Sequence, residues 1–242
     1  MLDIIAAIYG TAYCAAQIGL LIGLAPVRGA TKLAAFAAAA AWLAIVVTIF
    51  AFGVLSPGSL GPVPVNLVPF ALMLVLLFGS WFLVPQSRTA LLSVPLPALI
   101  AVHAGRIGGL LFLLLFFDER LSAPFAPAAG VGDMITGTVA LLLVATLALG
   151  FEVRSLWLKV WNAFGALDLV IALTLAVLSA PGTPFRVFTE GPGTLVMGTL
   201  PWVLVPAILV PIDLLVHFAI AAKLKSVPRA TLALATALAM AN

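Results

Sequence analysis

The sequence predicts an all-α integral membrane protein: a seven-transmembrane-helix bundle, amino terminus outside and carboxyl terminus cytoplasmic. Three observations predict it. Of 242 residues, 64% are hydrophobic and only 8% charged, where a soluble domain carries about 25%, and the mean hydropathy is +1.31. Apolar runs of roughly 20 residues, the length that crosses the bilayer core, recur along the chain. Lysine and arginine collect in alternate connections, which orients the bundle.

The first run spans about 3–24. Its start, MLDIIAAIYG, lacks the positive region of a secretory signal, and TAYC is a poor lipoprotein cleavage site, so the run is expected to be retained. APVRGATK separates it from a second run at 33–55, and SPGSLGPVPVN from a third at 66–84. VPQSRT precedes the fourth, 95–117, and DERLSAPFAPAAGVG the fifth, 133–151, which opens on Asp133 as an amino-terminal cap. Before the sixth, 162–180, lies VRSLWLKVW. There Val153, Leu156, Trp157 and Val160 share one helical face, with Arg154, Ser155 and Lys159 opposite, the pattern of an interfacial helix. Asn162 would cap the sixth span. APGTPFRVFTEGPGT leads to the seventh, 195–222. Residues 1–228 thus form a single polytopic transmembrane domain, and 229–242 a short apolar C-terminal tail. No internal repeat aligns.

With the amino terminus outside, Arg28, Lys32, Arg88, Arg154, Lys159, Lys223, Lys225 and Arg229 fall inside, and only Arg120 and Arg186 fall outside. That asymmetry implies a multi-pass protein of the cytoplasmic (inner) membrane. It also accounts for the net charge of +3 without a nucleic-acid partner. The lone cysteine, Cys14, excludes an intrachain disulfide and a cysteine-clustered metal site. There is no Walker loop, dinucleotide fingerprint or nucleophile elbow. A retinal protein would need a lysine midway along the last span, whereas Lys223 and Lys225 lie at its end.

ALIAVHAGRIGGLLFLLLFFDER, residues 98–120, places His103 and Arg106 inside a span. Ionisable residues at such depth are costly and normally face a partner in the bundle interior. At about 1.5 Å per residue, His103 lies about 12 Å from the cytoplasmic end, Arg106 about 17 Å, Asp168 about 9 Å, His217 about 8 Å and Asp213 about 14 Å. These five residues are therefore expected to converge in the cytoplasmic half. Span seven carries Pro201, Pro206 and Pro211, which release the carbonyls of Met197, Trp202 and Ala207 and predict a bent or opened helix beside a cavity. Gly105 with Gly109, and Gly19 with Gly23, form GxxxG pairs expected to let helices approach closely. Several of Trp42, Trp81, Trp157, Trp161 and Trp202 suit interfacial anchoring.

The expected function is binding of a small ligand, cofactor or proton for transport or redox coupling. In a proton- or ion-coupled pathway, Asp213 or Asp168 would take the proton and Arg106 would tune it. In a redox protein, His103 and His217 would ligate haem b, or His103 would hydrogen-bond a quinone near Arg106. A zinc hydrolase would use His103, His217 and an aspartate, though no compact ligand spacing backs it. A fourth alternative is a non-catalytic accessory subunit packed against other membrane subunits as well as the lipid bilayer, its buried charges serving as structural ion pairs. Replacing Arg106 with Leu is expected to abolish function, and Lys223→Ala to leave it intact. HAGRIGG, GVGD and WNAFGALDL resemble words of small bacterial integral membrane proteins, and that resemblance implies no activity.

Overall fold

The computed structural model describes residues 1–226, all helices and connections with no strand among them. The predicted tail, 229–242, lies outside the described residues. The elements are α1 (Leu2–Leu24), α2 (Gly29–Ala51), α3 (Leu67–Leu83), α4 (Pro85–Ser93), α5 (Leu96–Val102), α6 (Leu110–Phe117), α7 (Phe125–Ala148), α8 (Ser155–Leu178) and α9 (Val210–Ser226). A 3₁₀ segment, His103–Gly109, joins α5 to α6, and a π turn, Val205–Leu209, leads into α9. Six helical runs are long and apolar enough to cross a membrane: α1, α2, Leu96–Phe117, α7, α8 and Val205–Lys225. The predicted third span, 66–84, coincides with α3, which at 17 residues reaches the length of the others only together with α4, bent from it by 95° where Pro85 opens the new helix. The fold is that of an apolar helical bundle, consistent with a multi-pass membrane protein.

Several boundaries move. Helix α7 starts at Phe125, eight residues before the expected start at Asp133. Pro127 sits in its first turn, where a missing amide donor costs nothing, and APAAGVG is a packing surface, since Ala126, Ala129, Gly130 and Gly132 are buried. Asp133 is therefore a mid-helix residue and caps nothing. Asn162 likewise lies inside α8, which runs unbroken from Ser155. VRSLWLKVW forms no separate interfacial helix: most of it is the start of α8, with Leu156, Trp157 and Val160 exposed. Of the five tryptophans, Trp157 is 62% exposed, while Trp81, Trp161 and Trp202 are buried.

The first half of the expected seventh span is irregular, a 3₁₀ turn at Leu195–Gly198 followed by turns up to Leu204. The prolines explain the break, and two of the three released carbonyls find substitutes. The Trp202 carbonyl accepts from the Val205 amide at 3.1 Å, and the Ala207 carbonyl from the Trp42 indole N–H at 3.1 Å. Trp42→Phe leaves that carbonyl unsatisfied and is expected to cost about 1–3 kcal/mol, measured as a lower unfolding midpoint in detergent.

One end of the bundle is tied by Asp3, which accepts from both guanidinium nitrogens of Arg120 (2.8 and 3.2 Å) and from the Trp202 indole at 2.7 Å. At the other end the Lys223 ammonium donates to the carbonyls of Leu92 and Val94, closing α4 onto α9. Lys223 is thus a structural pin, and Lys223→Ala is a poor control for function.

Candidate functional site

The site is built on the 3₁₀ segment HAGRIGG. Three glycines in seven residues weaken the α-helix, and α1 props the loosened backbone open. The Tyr9 hydroxyl donates to the Gly105 carbonyl at 2.6 Å and accepts the Gly108 amide at 3.1 Å. Tyr13 donates to the Val102 carbonyl at 3.0 Å. The glycines are needed for contact: a Cβ on Gly105 would lie 2.2 Å from the Tyr13 ring, and one on Gly108 2.3 Å from Tyr9. From the other side α7 approaches through Gly130 and Gly137, where a Cβ on Gly137 would meet the Ile107 amide nitrogen at 2.6 Å. The Gly105/Gly109 pair is a packing face; Gly19 and Gly23 have open space beside them.

Arg106 is the hub of a connected polar cluster. Its Nε donates to Asp133 at 2.7 Å, one terminal nitrogen to Asp168 at 2.6 Å, and the other to the Gly165 carbonyl at 3.0 Å. That last nitrogen also lies 3.0 Å from His217 Nε2. A guanidinium only donates, so His217 Nε2 accepts and its Nδ1 carries the proton, donated to Asn162 Oδ1 at 2.9 Å. Asn162 returns a bond to the His217 carbonyl at 3.1 Å. His217 is a neutral imidazole with both nitrogens engaged.

The His103 ring stacks on His217 with centroids 3.8 Å apart and planes 18° from parallel. Trp161 lies against both rings and anchors its own N–H on the Thr136 carbonyl. His103 Nδ1 is 3.2 Å from Asp213 Oδ1 but out of line for a hydrogen bond, and neither of its ring nitrogens has a hydrogen-bond partner. Asp213 accepts from Gln17 at 2.8 Å, and the Tyr13 hydroxyl, which shares its one proton with the Val102 carbonyl, lies 3.4 Å from both carboxylate oxygens. Both histidines, Arg106 and Asp213 are at most 3% exposed, and Asp168 is 9% exposed.

All five side chains singled out in the sequence therefore lie in one cluster, together with residues the sequence reading passed over. Asp133 and Asn162 have the sequence context of helix caps but lie inside α7 and α8. Tyr9, Tyr13 and Gln17 escaped notice, although their spacing of four marks a single face of α1.

Three cavities border the cluster, one of them, of about 60 Å³, only through Asp133. A second small one of about 60 Å³ is lined by Tyr9, Tyr13, Arg106, Asp133, Trp202 and Asp213. It has room for a few waters and is far below the roughly 300 Å³ minimum of small-molecule sites. A larger trough of about 780 Å³ runs between α3, α8 and α9, with Asn162 and His217 among its lining residues. His103 borders none of the three, so a quinone in any of them would not meet its ring. Axial haem ligands sit on opposite faces of the macrocycle with iron between them, an arrangement the stacked imidazoles do not have. Among the described residues, no three His, Cys, Asp or Glu side chains are grouped so as to hold a metal ion.

A family model described as "Domain of unknown function (DUF8737)" matches residues 62–225. The match contains Arg106 and every ionisable partner it has in the cluster, and it excludes the Tyr9, Tyr13 and Gln17 face of α1. No curated protein and no solved structure matched the chain.

Proposed function

We propose, for a chain that belongs to the DUF8737 family, a multi-pass protein of the cytoplasmic membrane in which Asp213 and His103 form a proton-binding station between two cavities. It crosses the membrane seven times, with α3–α4 as the third crossing and the amino terminus outside. The observation that carries the reading is the line Asp213–His103–His217. Asp213 borders the small cavity, His217 borders the trough, and His103 stacks between them.

Charge balance supports it. One guanidinium faces three carboxylates, and two of them, Asp133 and Asp168, bond it directly. Asp213 has only neutral donors and His103 around it, so a proton is the smallest species that neutralises this carboxylate. The small cavity admits water-sized guests, which favours a proton over an organic ligand. His217, with both nitrogens occupied, closes the inner end of the path in this conformation and acts as its gate. The orientation rests on the positive-inside asymmetry. An infrared difference spectrum across a pH step tests the station: a carboxyl band should appear that Asp213→Asn removes and Asp168→Asn keeps. A spectrum unchanged by Asp213→Asn would contradict the assignment.

A second reading, an accessory subunit, has its own support. Helix α2 buries only Val46 fully, and Gly19 and Gly23 on α1 have nothing within 4 Å of a Cβ. Light scattering of the gently solubilised protein separates the two: a stable complex with other membrane subunits favours this one.

A further inference from the structure

We propose that the trough between α3, α8 and α9 holds an acyl chain of an anionic phospholipid whose phosphate sits on Lys159 and Lys225. The assignment rests on the trough's own lining, and a chain seated there covers the His217 end of the proposed proton path.

The trough has a charged end and an apolar body. Lys159 lies at the start of α8 and Lys225 near the end of α9, and because the two helices run antiparallel both ammonium groups belong to the same end. Among the described residues, no acidic side chain lines the trough. Below the lysines the walls are Phe78 from α3, Ala163, Ala166 and Val170 from α8, and Leu214 from α9. Alanines at 163 and 166 keep that wall low, and Phe218 packs edge-on against Phe78 at 5.6 Å to form the opposite side.

Length supports a lipid. From Lys159 to Val170, eleven residues at about 1.5 Å each give about 16 Å. That is about half of a 30 Å hydrocarbon core, or one leaflet. The volume of about 780 Å³ falls in the range of roughly 300–1,000 Å³ that holds a discrete ligand. The two polar groups on the floor are occupied with each other, since Asn162 and His217 exchange hydrogen bonds at 2.9 and 3.1 Å. The interior therefore suits methylenes, and the ammonium pair suits a phosphate. Basic pockets between helices at the cytoplasmic face are the usual recognition chemistry for anionic headgroups.

Native mass spectrometry of full-length protein extracted from vesicles of equal phosphatidylglycerol and phosphatidylcholine tests this. The wild type should retain one phosphatidylglycerol, preferred by about 30-fold for two lysines. Lys159→Gln with Lys225→Gln should erase the preference. Ala166→Phe should displace the lipid with both lysines intact, and far-ultraviolet circular dichroism checks that this variant folds. Equal retention of the two lipids overturns the proposal, as does retention unaffected by Ala166→Phe. A full-length protein carrying no lipid overturns it too, and would leave the trough to a second copy.

Discussion

Arg106→Leu is expected to remove the folded protein itself, and activity only as a consequence. The guanidinium spends its nitrogens on Asp133, Asp168, the Gly165 carbonyl and His217, joining the 3₁₀ segment to α7, α8 and α9. Without it two carboxylates remain in the bundle interior with no cation. Breaking a buried pair from one side costs about 3–5 kcal/mol, a large share of a typical stability of about 5–15 kcal/mol. Denaturant titration in detergent should show this loss, or expression should fail. Arg106→Met combined with Asp133→Asn and Asp168→Asn removes charge from both sides and should recover most of the stability. Recovery would identify Arg106 as the hub that positions the site; a protein still unfolded would mean that its hydrogen bonds to Gly165 and His217 dominate.

Gly137→Ala is expected to have the second-largest effect. The added methyl would sit 2.6 Å from the Ile107 amide nitrogen and 3.0 Å from the Arg106 carbonyl carbon. Both are backbone atoms, so relief requires α7 to move off the 3₁₀ segment. Overpacking costs about 1–3 kcal/mol where side chains can adjust, and here they cannot absorb the clash. Gly19→Ala and Gly23→Ala meet nothing within 4 Å and gain up to about 1 kcal/mol of helix propensity. Thermal midpoints of the three variants should therefore split, with Gly137→Ala well below the wild type and the other two at or above it.

Composition and the length of apolar runs are enough to read an apolar helical bundle, because hydrophobic length is dictated by the bilayer. The ionisable residues of the cluster are conspicuous for the same reason: each interrupts an otherwise apolar stretch. Helix starts rich in Gly, Ala and Pro are not legible in that way. In water APAAGVG marks a loop, but inside a bundle the same residues permit close approach, and Asp133 was misplaced with them. Heights drawn at about 1.5 Å per residue also drift where HAGRIGG takes the 3₁₀ rise of about 2.0 Å. The substitute donor for the Ala207 carbonyl in the π turn is Trp42 of α2, which is tertiary information. Tyr9, Tyr13 and Gln17 were visible at a spacing of four, yet none is charged, so a search for ionisable groups passed over them.

Protons are proposed to cross by way of Asp213 and His103. Proteoliposomes holding a trapped pH dye, with a potassium diffusion potential imposed, measure that crossing directly. The account predicts proton influx through the wild type that Asp213→Asn abolishes. Wild-type vesicles as proton-tight as empty ones, or influx undiminished by Asp213→Asn, would contradict it.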